Sequence, residues 1–366
     1  MSEIKSRLIN WLYRRYLPLG MLVTLFAPKG RGKTKVADYL TSVITTGRNW
    51  DDGTPNTLGP RRVLRFNLED PAAEVLKPSL FAAGANLDLI EYPPAHMTLT
   101  IKPDGQEVMA ALDFSDPAHV KLLKQKIRTY RDAVLVIIEP ITNYKGKARA
   151  NQDDDMRPIY MNLAQVAAET GVCILVINHT NRRTGVDPLE KSLGAGSGPN
   201  VARMNWFLDV DPDTGDRILV NAGSNLPTGP ALCFKIESHA PFVLDGDTYE
   251  DIGYAVFSHV SDITADELLG RIDASKTGPE RGQRTEIKNA IRSALEKGEM
   301  PGGGMSAGDV YASLGQSVNG GFHQKSIQRA AHEMTQKGEL FKESGGFGVV
   351  FWSLKPFDQA DKADTP

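Results

Sequence analysis

"FAPKGRGKTKV", Phe26 to Val36, sets two glycines, a lysine and a threonine where an apolar run, "MLVTLF", gives way to a helical period, "KTKVADYLTSVITT". From Ala27 to Thr34 the stretch reads A-x-x-x-x-G-K-T. A loop that wraps its main-chain N–H groups around a phosphate tail needs residues without a Cβ at the closest approaches, and Gly30 and Gly32 supply them. Lys33 is placed to set its ammonium against β- and γ-phosphate oxygens, and Thr34 to give its hydroxyl to Mg²⁺. The N-terminus of the following helix adds a positive field. The expected contacts to ATP are therefore Ala27, Pro28, Lys29, Gly30, Arg31, Gly32, Lys33, Thr34 and Lys35, with Mg²⁺ as the accompanying metal. Ala27 stands where glycine is usual, and a small residue suffices there because later positions hold the phosphates. The dinucleotide pattern G-x-G-x-x-G is not met, because Lys35 occupies its third glycine position.

Outward from this turn, short apolar runs alternate with helical periods as far as Glu237. "RVLRFNL", "AVLVII" and "VCILVI" read as strands, while "PAAEVLKPSLFAA", "HVKLLKQKIRTY" and "PIYMNLAQVAAET" read as helices. Continuous β-branched runs separated by helices predict an α/β fold, a mostly parallel sheet with helices on both faces. "RILVNA" and "ALCFKIE" are joined by a turn alone, which predicts an antiparallel extension.

In such sheets the chemistry gathers at the strands' carboxyl ends. "LVIIEP" ends in Glu139, where a carboxylate can hold the water shell of Mg²⁺. "FNLED" ends in Glu69 and Asp70, either of which can polarise an attacking water, or cap the helix that follows. "VINHTNRR" places His179 just past another strand end, a candidate sensor of the γ-phosphate, with Arg182 and Arg183 behind it. The glycine-rich, basic stretch after His179 is a candidate DNA-gripping loop.

The 366 residues suggest two domains, and 41% hydrophobic with 24% charged residues permits a sizeable core. The apolar runs are too short to span a bilayer and no secretory pattern opens the chain, so a cytoplasmic protein without membrane partners is expected. Cys173 and Cys233 are too few for a disulfide framework, and the seven histidines show no metal-ligand spacing. The expected division is a nucleotide-binding domain over 1–262, a linker over 263–283, a winged-helix domain over 284–355 and a polar tail over 356–366. From Arg281 to Lys355 there are ten Lys/Arg against seven Asp/Glu, a net +3 in a chain of −3 overall. Three helices and a hairpin turning at Ser344-Gly345-Gly346 carry the winged-helix expectation, with Ser306 as a helix N-cap. Lys325 and Arg329 lie on one side of its third helix, opposite Ile327, Ala330 and Met334, which suits contact with DNA.

These motifs, in this order, resemble the RecA-like P-loop ATPases of the RepA-type hexameric replicative helicase group, found on plasmids, phages and integrated elements. The likeness runs from "WLYRRYLPLGMLVTLFAPKGRGKT" to "NLPTGPALCFKIE". "NLEDPAAEVLKPSLFAAGA" is similar to the family's glutamate-bearing segment, "LVIIEP" to its Walker B strand, "GVCILVINHT" to its histidine strand, and "LGAGSGPNVAR" to its Gly-Ser stretch with a following arginine. The resemblance implies Lys33 and Thr34 on phosphate and Mg²⁺, Glu69 as catalytic base, Glu139 on the metal and His179 as sensor. It further implies Arg203 as a finger reaching a neighbour's nucleotide, hence a homo-oligomeric ring, with single- or double-stranded DNA and other replication proteins as partners. Three positions depart from the pattern: Glu139 where aspartate is usual, Gly223 where a lysine precedes "SN", and Arg182 where lysine is frequent. The function expected is an ATP-hydrolysing DNA helicase. Its rivals are a DNA-dependent ATPase that loads or remodels replication or recombination proteins without unwinding, and a nucleotide-sensing winged-helix transcriptional regulator.

Overall fold

The computed structural model describes residues 5–93, 96–101, 107–150, 152–180, 189, 197–277, 280–298, 304–315, 324–336, 338–344 and 349–356. The chain divides into two compact units, Met1–Asp273 and Ala274–Pro366.

In the first unit the apolar run before the glycine turn forms β1, Leu22–Ala27, and the residues after it form α1, Lys33–Thr46. There follow β2, Arg62–Asn67, a wide π-helical turn, Ala72–Leu76, and α2, Lys77–Ala82. The helix expected here is present, but its first turn is π-helical rather than α-helical. Pro78 has no N–H to return to the carbonyl four residues back, and Leu76 N–H instead bonds Pro71 O, five residues back. Next come β3, Ile90–Glu91, α3, Pro117–Thr129, and β4, Ala133–Glu139. Helix α4, Asp153–Thr170, begins five residues before Pro158, where the sequence placed its start. Three aspartates in its first turn favour the helix N-terminus and extend it through the proline. The remaining elements are β5, Cys173–His179, α5, Ser197–Val201, β6, Met204–Val210, β7, Arg217–Ser224, β8, Ala231–Ser238, and β9, Gly253–Ser261.

These nine strands form one sheet in the order β9-β8-β7-β6-β1-β5-β4-β2-β3. The six from β6 to β3 pair in parallel, and β7, β8 and β9 extend the sheet antiparallel. This is the mostly parallel, RecA-like α/β arrangement, with the glycine-turn strand at its centre. Side chains of β4 alternate between the two faces, as the pleat requires. Leu135 and Ile137 pack with Val36, Leu40 and Val43 of α1, while Val136 and Ile138 pack with Leu123 of α3 and Ile159 and Leu163 of α4. Each such side chain, fully buried, contributes roughly 1.5–3 kcal/mol by leaving water.

Residues 263–283, expected as a linker, hold α6, Ala265–Thr277, and the start of α7, Glu280–Glu296. Ala265, Leu268, Leu269 and Ile272 recur at helical spacing and pack on Phe26, Phe207 and Ile218 of the sheet. The stripe is narrow and its flanks polar, which is why composition alone suggested a linker.

In the second unit, α7 is joined by α8, Ala307–Gly315, and α9, Gln324–Gln336. A three-stranded antiparallel sheet places Val350–Ser353 between Gly304–Ser306 and Phe341–Ser344. Ile291, Leu295, Val310, Ile327, Met334 and Trp352 form its core. Ser306 caps α8, accepting from Asp309 N–H at 3.1 Å while its hydroxyl donates to the Asp309 carboxylate. Residues 345 and 346 of the expected hairpin turn lie outside the described residues. Among the described residues, no helix is long and apolar enough to cross a membrane.

Candidate nucleotide-binding site

The glycine turn closes on itself through left-handed backbone at Gly30 (φ 77°) and Gly32 (φ 90°), the latter capping α1. A Cβ on Gly32 would lie 3.2 Å from Arg217 Cδ, so the loop is also backed closely by β7. Lys33 opens α1 with its ammonium folded over the turn. Nζ donates to Ala27 O and Pro28 O at 3.2 Å each, and to His179 Nδ1 at 3.1 Å. Burial pushes its pKa down, opposed by the carboxylates of Glu139, Glu69 and Asp209. A desolvated cation held only by carbonyls and a neutral ring is poised to prefer phosphate oxygens. Two further loop cations are engaged elsewhere. Arg31 Nε lies 2.8 Å from Asp209 Oδ1, and Lys35 donates to Ser79 Oγ at 2.8 Å. The Lys35 side chain points towards α2 because it is rotated about 200° around the helix from Lys33.

Parallel register brings the strand ends together: Ala27 pairs with His179, and Asn67 with Glu139. Thr34 Oγ1 donates to Glu139 Oε1 at 2.8 Å, across 105 residues of sequence. Glu139 is 2% exposed, and burial pushes its carboxyl up to about 7, against the lowering effect of Arg65 and Thr34. Arg65, itself fully buried in the middle of β2, sets Nη2 3.4 Å from Glu139 Oε2 and Nη1 3.1 Å from Asp38 Oδ1. Nη1 also donates to Thr41 Oγ1 at 3.1 Å, and Asp38 Oδ2 accepts from Ser79 Oγ at 2.5 Å. Burial raises the pKa of Asp38, with Arg65 and Ser79 opposing.

Glu69 and Asp70 part company at the tip of β2. Asn67 Oδ1 accepts from both their main-chain N–H groups, at 2.8 and 2.9 Å, and its amide donates to Asp70 Oδ2 at 3.2 Å. Asp70 is thereby tied to the turn, while Glu69 Oε2 lies 3.6 Å from His179 Nε2. Burial and the Lys33 ammonium lower the His179 pKa, keeping the ring neutral. Because Lys33 only donates, Nδ1 is the acceptor and the ring proton sits on Nε2, facing Glu69. Lys33, His179 and Glu69 thus form one line along the sheet edge.

Arg203 is set apart from this group. It precedes β6, and its N–H bonds Leu22 O at the opposite end of β1 from the glycine turn. Its carbonyl accepts from Asn225 N–H at 3.3 Å and Ser224 Oγ at 3.0 Å, and the side chain is exposed. Gly223 is covered by Leu189, whose Cδ1 would lie 3.0 Å from a Cβ there. The lysine of the resembled pattern is therefore replaced by an apolar contact. Arg329 is exposed on α9, whereas Arg182, Arg183 and the Lys325 side chain lie outside the described residues. Sequence reasoning missed Arg65, Asp38, Asn67 and Arg217. Two signals were available: a charged residue inside the strand "RVLRFN", and the row Thr34, Asp38, Thr41 at i, i+4, i+7 on one side of the helix after the glycine turn.

Among the described residues no cluster of three or more His, Cys, Asp or Glu stands ready to hold a metal. The Thr34–Glu139 pair is instead a hydroxyl and a carboxylate, hard oxygens of the kind that hold Mg²⁺ together with water and phosphate. Those two residues would hold it.

Residues 4–185 match the AAA domain family (AAA_25). A solved structure of a KaiC-like protein from the archaeon Pyrococcus horikoshii OT3 is similar at 14% identity and a TM-score of 0.42, covering 68% of this chain and 93% of that one. No curated protein sequence matches the chain. The family match falls on the half that carries the glycine turn, Glu69, Glu139 and His179, and the chain is an ATP-hydrolysing P-loop protein of RecA-like fold.

Proposed function

We propose that this chain is an ATP-driven DNA motor, a RepA-type replicative helicase working as a hexameric ring with its ATP sites between subunits. The observation that carries the proposal is the position of Arg203. It lies at the far end of β1 from the glycine turn, about 17 Å away along the strand at the usual rise per residue. An arginine side chain cannot cover that span, yet the Arg203 backbone is held at three points and its side chain exposed. Such an arginine suits delivery to a neighbour's nucleotide, where it would offset charge on the transferring phosphoryl group.

Within one subunit the chemistry divides as follows. Lys33 leaves the carbonyls of Ala27 and Pro28 for the β- and γ-phosphates, and so releases His179 Nδ1. Glu69 takes a proton from the attacking water as its oxygen bonds to the γ-phosphorus and the β–γ bridging bond breaks. His179, still beside Glu69, serves as γ-phosphate sensor by moving its ring proton from Nε2 to the freed Nδ1, which then donates to a phosphate oxygen. Nε2 meanwhile accepts the proton that Glu69 has taken from water. Thr34 and Glu139 would hold Mg²⁺, which would supply neutralisation of the charge developing on the phosphates. The C-terminal unit, with its three helices and antiparallel sheet, is read as a winged helix that meets DNA through α9, where Arg329 is exposed.

One observation favours a second reading. Leu189 fills the place of a second cation at Gly223, which suits a slower ATPase that loads or remodels DNA-bound proteins without unwinding. The test is ATPase rate, with and without single-stranded DNA, against protein concentration, followed by strand displacement. A motor with shared sites shows a rate per subunit that climbs with concentration and with DNA. A flat rate unaffected by DNA refutes the proposal, and DNA-stimulated turnover that never releases a strand favours the second reading.

A further inference from the structure

Walker B strands of the resembled group end in aspartate, and here the residue is Glu139, with one more methylene and one more rotatable bond. A longer arm samples more positions, and a carboxylate displaced by about 1 Å loses much of its value in a catalytic constellation. The structure restrains both oxygens of that longer arm. Oε1 is taken by Thr34 Oγ1 at 2.8 Å and Oε2 by Arg65 Nη2 at 3.4 Å. Arg65 is anchored in turn: Nη1 lies 3.1 Å from Asp38 Oδ1 and donates to Thr41 Oγ1, both on α1, the helix that begins with Lys33 and Thr34. The guanidinium therefore spans from α1 to β4 beneath the metal-facing hydroxyl. A lysine, with a single point of charge, could not reproduce the fork.

We propose that Arg65 is a positioning residue for magnesium, a tether that holds the longer Walker B carboxylate of Glu139 so that Oε1 faces Thr34. A merely structural ion cluster does not account for this arrangement well. Buried ion pairs seldom stabilise a core more than apolar residues of the same volume, and Val63, two residues before Arg65 on the same face of the strand, is apolar. The cation instead bridges Asp38 of α1 to Glu139, the carboxylate that would face the metal. The residue compensates for the Glu139 departure and predicts that the two positions act as a pair.

The inference rests on the nucleotide-site reading, and the experiment separates the two. Mn²⁺ serves as the probe in the ADP complex of the full chain, with free Mn²⁺ followed by electron paramagnetic resonance. A fluorescent ADP analogue in chelator reports nucleotide affinity without metal. Arg65→Lys is expected to weaken Mn²⁺ binding about 10-fold or more, the usual effect of losing an outer partner of a metal ligand. Metal-free ADP affinity should stay within about two-fold, because the phosphate loop is untouched. On a Glu139→Asp background, whose shorter arm does not reach Arg65, the same lysine substitution should cost nothing further. Should Arg65→Lys fail to fold, Arg65→Met combined with Asp38→Asn removes the cation and one carboxylate together and is expected to show the same selective loss. Unchanged Mn²⁺ affinity, a parallel fall in metal-free ADP affinity, or an equal loss on the Glu139→Asp background would each overturn the tether. Failure of the wild type to bind ADP at all sinks the nucleotide site and the tether with it, and is distinguished by appearing before any substitution is made.

Discussion

Replacing Glu139 by glutamine should make the metal-free protein more stable at alkaline pH, at the expense of its activity. Glu139 is almost wholly buried, and burial raises its carboxyl from the ordinary 4.5 to about 7. The folded protein therefore holds this proton more tightly than the unfolded chain does. Stability from this group is complete below pH 4.5 and is lost as pH rises from there to about 7. At 1.36 kcal/mol per unit the loss amounts to about 3 kcal/mol. That is a large share of the 5–15 kcal/mol by which domains are typically stable. Glutamine keeps the length of the side chain and an acceptor for Thr34 but cannot ionise. It also leaves Arg65 wholly to Asp38, which eases that aspartate's ionisation and acts in the same direction. Urea unfolding of wild type and Glu139→Gln, in chelator, at several pH values from 4.5 to 8, isolates the group as a difference between two curves. The variant should gain on the wild type by about 3 kcal/mol across that window, with the gain complete by pH 8. A difference that does not change with pH, or that runs the other way, refutes the claim that Glu139 is ionised against a burial cost.

Two further outcomes follow from the site. Lys33→Ala should abolish ATP turnover yet shift apo stability by no more than about 1 kcal/mol, because a buried ammonium held by carbonyls is offset by its desolvation; retained turnover would remove Lys33 from the site. Arg203→Ala should cut turnover by about 10³-fold with ATP affinity nearly unchanged. Mixed one to one with Lys33→Ala it should regain activity at about a quarter of the interfaces, since each variant supplies what the other lacks; mixtures as inactive as the separate variants would place the finger elsewhere.

Much of the ATPase half could be read locally. The strand-turn-helix from Leu22 to Thr46 is dictated by chemistry within a few residues: an apolar run, glycines at left-handed positions, then a helical period. The strands ending in Glu139 and His179 announced themselves as continuous apolar runs for the same reason. Where local signals were weaker, the expectation moved. Helix α4 starts ahead of its proline, the helix after β2 opens on a π turn ahead of Pro78, and α6 lies where a linker was expected, because three or four packed side chains outweighed polar neighbours.

Composition and spacing alone determined that a phosphate-binding turn opens a parallel α/β sheet, since a glycine, a lysine and a threonine in that order answer to bond-scale sterics. Only the folded chain decided which carboxylate meets which cation. Sheet order and register bring Glu139 beneath Thr34, set Glu69 rather than Asp70 beside His179, and bury Arg65 between Asp38 and Glu139. The same topology sends Arg203 to the far end of the sheet. These partners are tens to more than a hundred residues apart in the chain. Their meeting depends on strand pairing summed over the whole sheet, a quantity no short window of sequence contains.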